Sequence, residues 1–412
     1  MIKAVGMGGQ YDRAATKAIL NQIFDFIDHG EIKDANGNTY RGHPCLYLLH
    51  SRDEVQAELE ASLTKDEYNR YDICYIARKL LKYCLGQYDI KTTVKLMPRD
   101  MTMPAGIKIQ DGKPFIVDVS SDLRRFLGWE ITTINRVPVA DLLSDIEEIT
   151  AYATPEWLRY KQETTLVSPM LAALPHFKGG LGMMRYGVEK GGAKDEICTS
   201  IPNDYTITGF QAGHGRSKNY SYKVLDGVIV IQYSMCRDKY RMDRLIADAG
   251  RDAKKHDISK YVIDLRHNSG GNPCLTNQLL DFLDGSRLVT LTNGSIYSCG
   301  AMACAALRNL GAYTIGTDIG MSLDGFCCSQ KIAMDEVGLS VVRSVGNYSH
   351  WNNDKNEYEQ ISADGFGKMY NKDNLPSLTF FHPDEYVART VDDLVAGKDP
   401  QLDAALAYLA KN

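Results

Sequence analysis

The sequence predicts an α/β fold with parallel strand pairing in its second half. Two observations lead there. From about residue 221 onward, short apolar runs alternate with amphipathic helical stretches in regular order. Two loops rich in Gly, Asn and Ser, at 268–271 and 293–298, then follow consecutive strand-like runs. Open α/β sheets place their ligands at such strand ends.

Taken in order, the first hundred residues read as helical. Ile19, Ile23, Phe26 and Ile27 recur at helical spacing over 12–29, and Gly30 stops the run. Over 65–85, Thr64 with Glu67 suggests a capping box. Ile73, Ile76, Ala77, Leu80, Leu81 and Cys84 then form one stripe, closed by Gly86. Residues 105–140 change character, with short strand-like runs broken by Gly, Asp-Gly and Pro. A helix is expected over 141–150, and another from Thr154-Pro155-Glu156, where Pro suits the first turn. Residues 178–220 read as loops and irregular β structure.

In the second half, VLDGVIVIQY is expected as a buried strand and 239–255 as an amphipathic helix. KYVIDLR is the second strand, 274–284 a helix and RLVTLT the third strand. A helix from Ser298 to Leu310 precedes AYTIG, the fourth strand. This gives three regions: a helical one over 1–100, a middle one with short strands and loops over 101–220, and an α/β core over 221–412.

Composition narrows the function. The 412 residues are 44% apolar and 24% charged, the balance of a globular chain, with a formal net charge of −5. No dense Lys/Arg run suggests a phosphate-tracking surface, so nucleic acid is not expected as a partner. No apolar stretch is long enough to span a bilayer. The opening MIKAVGMGGQYDRAATKAIL lacks the apolar centre of a signal peptide. The expectation is a cytoplasmic protein, or a secreted one whose leader has been removed. The 10 cysteines show neither CxxC nor Cys/His ligand spacing, so no metal site is expected. Most read as small buried apolar residues, which favours a reducing compartment.

The two loops carry the chemistry. Paired glycines at 270 and 271 turn tightly and expose backbone N–H groups. Ser298 opens a helix, where its hydroxyl meets unsatisfied donors and the positive end of the dipole. Together they can offer a nucleophile and an oxyanion hole with one N–H from each loop. The same residues also fit a plain helix N-cap and a plain turn.

Three segments add a family resemblance. YVIDLRHNSGG is similar to the Asp-Leu-Arg-x-Asn-x-Gly-Gly segment of the tail-specific (C-terminal-processing) serine proteases and their tricorn-core relatives. LTNGSIYSCGAMACAALRNLGAYTIG resembles their nucleophile segment, and HPDEYVARTVDDLVAGKDPQLDAAL their closing one. More weakly, LGWEITTINRVPVADLL resembles part of their PDZ-like stretch.

The resemblance implies a crotonase-like core and serine-type endopeptidase activity on an extended or unfolded peptide, with no metal or cofactor. It makes Ser298 the nucleophile, and Gly270 or Gly271 with the N–H of Cys299 the oxyanion hole. Cys299 thus lends its N–H rather than its thiol. Asp264 and Arg266 shape the loop as a buried ion pair.

The base departs from the family pattern. One branch uses a Lys after the Ser, but residues 318–328 contain none and Lys331 is too late. The other uses His in an Asp-x-His-Thr segment. Here Asp89-Ile90-Lys91-Thr92 puts Lys91 in that place, and Glu357 answers to the downstream Glu, with Glu359 and Asp354 as competitors. A free Lys amine has a pKa of about 10.4 and is a poor base unless burial lowers it. Two readings follow: Lys91 is the base, or the base is lost and the chain is a weak or inactive relative that binds peptides. His267 and His214 are the imidazoles next in line. A crotonase-type acyl-CoA enzyme is the third reading.

Overall fold

A computed structural model describes residues 9–33, 39–40, 42–97, 103, 105–200, 220–272, 274–349, 351–352, 357–358, 372–373 and 375–411. Its central feature is a six-stranded sheet. Tyr220–Leu225 pairs antiparallel with Val228–Tyr233. From there the order runs parallel through Lys260–Asp264, Arg287–Thr292, Tyr313–Gly316 and Glu385–Tyr386. The four inner strands, Val228–Tyr233, Lys260–Asp264, Arg287–Thr292 and Tyr313–Gly316, are buried on both faces, as parallel strands covered by helices must be. Ile229, Ile231, Tyr261 and Ile263 face helices Lys239–His256, Cys274–Leu283 and Cys299–Asn309. Val230, Val262, Val289 and Ile315 pack against the closing helix, Pro400–Lys411. The α/β expectation therefore holds. One detail is corrected: VLDGVIVIQY is not a single strand. Asp226 and Gly227, both at positive φ, form a two-residue turn between antiparallel strands.

The first hundred residues carry the helices Arg13–His29, Arg52–Ser62 and Arg70–Leu85. The third starts later than Thr64 suggested. Asn69 and Asp72 form its capping box, because Glu67–Tyr68 is drawn into a short strand with Tyr11–Asp12. These helices bury their stripes with a hairpin from much later in the chain. Leu339–Arg343 pairs with Thr93–Leu96, and Leu339 and Val341 join the core formed by Ile19, Ile23, Ile73 and Leu80.

The middle region is a separate antiparallel sheet ordered Ala193–Ser200, Met183–Lys190, Glu130–Ile134, Lys113–Val119, Ala105–Gln110. Residues 183–200, expected to be irregular, form a regular hairpin turned at Gly191-Gly192, both at positive φ. Helix Pro155–Thr165, capped by Thr154, links this unit to the core: the Thr154 hydroxyl donates to Ile319 O.

Candidate active site

Ser298 sits at the end of the loop after Arg287–Thr292, immediately before helix Cys299–Asn309. Its side chain makes no N-cap hydrogen bond. Its backbone holds φ 59° and ψ −135°, a region a residue with a Cβ rarely enters. Such a conformation costs on the order of 1–3 kcal/mol and persists where surrounding structure enforces it. A plain N-cap would adopt extended backbone and bond to the helix; this serine does neither.

The group opposite is Lys91. Its Nζ lies 3.4 Å from Ser298 Oγ. Lys91 is 8% exposed, and its loop is held by a buried carboxylate. Asp89 Oδ1 accepts from the N–H groups of Lys91 and Thr92, and Oδ2 accepts from the Thr92 hydroxyl. His43 Nε2 meets Asp89 Oδ2 at 3.0 Å. Cys45 N–H donates to His43 Nδ1, so Nε2 carries the proton that points at Asp89. Burial pushes Asp89 upward, but the hydrogen bonds it accepts from His43, the Thr92 hydroxyl and the Lys91 N–H outweigh it and hold the carboxyl at about 2. The Thr92 hydroxyl in turn accepts from Ser344 N–H. Lys91 thus projects from a loop whose polar groups are satisfied on the far side.

The glycine loop comes within contact of the serine. A Cβ at Gly270 would stand 2.6 Å from Ser298 Cβ and 2.8 Å from Cys299 N. The N–H of Gly270 is committed to Asn268 Oδ1. Asn268 also donates to Tyr233 O, which fixes the loop on the preceding strand. Among the described residues, the N–H groups of Gly271 and Cys299 have no hydrogen-bond acceptor. The Ser298 N–H is directed at Met321 Sδ. The Cys299 thiol donates to Gly271 O, and burial raises it above the ordinary thiol range.

Asp264 and Arg266 form a buried ion pair that also holds the chain's closing segment. Arg266 meets both oxygens of Asp264 and both of Asp399, and donates to Gln401 Oε1. His267 does not reach Ser298; its Nδ1 lies 3.1 Å from Ser295 Oγ. Lys331 is exposed on strand Gln330–Met334. Glu357 opens the short strand Glu357–Tyr358, which packs against helix Cys299–Asn309. The side chain of Glu357 lies outside the described residues, as do Glu359, Asp354 and His214. No local sequence pattern marks His43 or Cys328 as neighbours of Lys91. Cys328 Sγ is 3.5 Å from Cys327 Sγ, close enough to Lys91 to feel its charge.

No family model matches the sequence, and no curated protein does. Solved structures do match. Mature CPAF aligns over 95% of this chain and 96% of its own, with a TM-score of 0.59 and 12% identity. The chain has the CPAF fold. Mature CPAF complexed with lactacystin aligns over 97% of both chains, with a TM-score of 0.58 and 12% identity. A CPAF mutant gives a TM-score of 0.60 at 12% identity, over 97% of this chain and 96% of that one. The match to CPAF runs through the helical region, the middle sheet and the core alike.

Among the described residues, no group of His, Cys, Asp and Glu is arranged to hold a metal ion, and no helix is long and apolar enough to cross a membrane.

Proposed function

We propose that the protein is a serine-type peptidase, hydrolysing peptide bonds by acyl transfer through Ser298 with Lys91 as base. A shared fold does not assign an activity. The observation that carries the reading is the 3.4 Å approach of Lys91 Nζ to the hydroxyl of a serine held in a strained backbone. That separation is at the long end for a hydrogen bond, as catalytic contacts without substrate often are.

In the neutral amine form, Lys91 takes the Ser298 proton as Oγ attacks the scissile carbonyl. The oxyanion that forms accepts from the N–H groups of Gly271 and Cys299, which have no other acceptor among the described residues. Gly270 supplies space rather than a donor, since its N–H is already committed. Collapse returns the proton from Lys91 to the leaving amine, and water then releases the acyl group from Ser298. Glu357 is the candidate third member of the site, on the packing of its strand against the serine's helix. The core reads as crotonase-like, and the substrate as an extended or unfolded peptide.

The test is hydrolysis of casein and of short peptides across pH about 6 to 10, with Ser298→Ala and Lys91→Ala beside the parent. Loss of cleavage in both variants, with unchanged circular dichroism, is expected. A Lys91→Ala variant that retains full activity would remove Lys91 from the mechanism. A parent as inert as Ser298→Ala would leave the peptide-binding reading in its place.

A further inference from the structure

A cavity of about 490 Å³ opens beside Lys91 and Tyr297, the residue preceding Ser298. Five basic side chains line it: Arg78 and Lys82 from helix Arg70–Leu85, Lys91, Lys95 from strand Thr93–Leu96, and Lys161 from helix Pro155–Thr165. Among the described residues, no Asp or Glu lines it. This concentration of positive charge occurs in a chain whose formal net charge is −5. It is local, and three separate elements build it.

Two of these cations, Arg78 and Lys161, are placed without carboxylates among the described residues. Arg78 Nε donates to the carbonyl of Ile149, and Lys161 Nζ stands 4.2 Å over the Trp157 ring. Neither has a carboxylate within ion-pair distance among the described residues. Lys82 differs, for it sits at the rim, donates to Glu147 O and feels the charges of Glu147 and Glu148. Burial, then the cations of Lys95 and Arg78, push the Lys161 amine down to about 7. Like charges crowded into a half-buried cleft raise its free energy. An incoming anion relieves that repulsion, and the walls of the cleft concentrate the field.

We infer that this cavity is a specificity subsite for an acidic peptide segment, whose Asp or Glu carboxylates face Lys161, Arg78 and Lys95 while the scissile bond lies at Ser298. The cavity's volume of about 490 Å³ can take a short peptide segment, and Tyr297 in its wall, packed against the buried Trp157, offers apolar contact beside the charges. The inference rests on the peptidase reading for the meaning of the scissile bond, but the binding can be measured apart from turnover.

The experiment uses the full chain carrying Ser298→Ala, with rhodamine-labelled hexapeptides followed by fluorescence anisotropy. One peptide is Glu-rich and C-terminally amidated, the second is its Gln counterpart, and the third is the Gln peptide with a free carboxylate. The Glu peptide is expected to bind about tenfold more tightly than the amidated Gln peptide at low salt. That preference should collapse at about 1 M salt, where screening shortens to a few ångströms. Adding Lys161→Met with Lys95→Gln should abolish it, whereas Lys254→Gln with Lys255→Gln, on an exposed helix end, should leave it intact. Equal binding of the Glu and amidated Gln peptides overturns the inference. So does loss of preference in the exposed-lysine variant, which would mark a diffuse surface effect. Tight binding of the free-carboxylate Gln peptide alone overturns it in favour of a site for the chain end. A parent that cleaves nothing, while Ser298→Ala still prefers the Glu peptide through Lys161 and Lys95, would sink the peptidase reading and keep the subsite.

Discussion

His43 Nε2 lies 3.0 Å from Asp89 Oδ2, and both side chains are fully enclosed. The pair stands directly behind the loop that presents Lys91 to Ser298, and Asp89 accepts the Lys91 N–H itself. The carboxyl titrates at about 2 in the fold against an ordinary 3.8. A depressed folded-state value stabilises the native state above the unfolded one. That contribution, about 2 kcal/mol, is complete above pH about 4 and is lost as pH falls through about 2. In Asp89→Asn, an amide N–H would face the His43 proton. The variant should lose about 2 kcal/mol in urea denaturation at neutral pH, with the deficit shrinking below pH about 4. If Asp89 positions Lys91, kcat should also fall by about tenfold or more with KM nearly unchanged. A variant with parental kcat would leave Asp89 a purely structural residue.

The Arg266 side chain, 2% exposed, bridges Asp264 at a strand end and Asp399 in the closing segment. Removing the cation leaves two carboxylates facing each other in a buried site. Arg266→Met should therefore cost about 3–5 kcal/mol, read as a lower urea midpoint. Limited proteolysis should then release the helix Pro400–Lys411 before the rest of the chain opens. A midpoint shift of less than about 1 kcal/mol would show that the pair contributes little beyond its desolvation cost.

Cys328 is exposed, while Cys327 beside it is buried. The Cys327 thiol donates to the Cys328 sulfur, and this, helped by the Lys91 cation, lowers Cys328 from 9.0 to about 7. A lowered value means thiolate at neutral pH, and the thiolate is the reactive form. Iodoacetamide should label Cys328 with a half-maximal rate near pH 7. Cys74, buried and raised to about 11, should stay unlabelled in the native protein. Peptide mapping by mass spectrometry decides it. A rate at Cys328 that stays flat until pH about 9 would rule out the Cys327 hydrogen bond as its cause.

The core was legible because each strand and helix there carries its own periodicity. RLVTLT buries five of its six residues and is a strand at every position expected. The first region misleads where local signals compete. Thr64 and Glu67 have capping-box spacing, yet Glu67 pairs across to Asp12 and the helix waits for Asn69. Helix Arg52–Ser62 buries only Val55 and Leu59, too thin a stripe to register, although Ser51 and Glu54 form its capping box. In the site, Ser298 and the glycine loop could be read from local pattern. The choice between Gly270 and Gly271 as donor could not, because it turns on the Asn268 side chain reaching back to Gly270. His43 was invisible for a similar reason: its partner is 46 residues away, and nothing local marks a lone histidine as buried.

Gly270 and Gly271 should respond differently to one added methyl. Both hold positive φ, 85° and 142°, so backbone strain is common to both. What the new Cβ meets differs. At Gly271 it would stand 2.0 Å from the carbonyl oxygen of Cys236, which accepts the Asn272 N–H and belongs to the bridge tying this loop to the strand before it. Backbone there cannot yield without breaking that bridge, so Gly271→Ala should destabilise the fold by several kcal/mol. At Gly270 the methyl would meet Ser298 Cβ at 2.6 Å, Cys299 N at 2.8 Å and Ser298 Oγ at 3.0 Å. It would fill the space where a substrate carbonyl must approach the nucleophile. Gly270→Ala should therefore lose hydrolysis by about a hundredfold or more, with a smaller loss of stability than Gly271→Ala. Thermal melts and turnover of the two variants, measured side by side, give the comparison. Equal loss of stability in both, or full activity in Gly270→Ala, would show that the space between Gly270 and Ser298 is not where the reacting carbonyl sits.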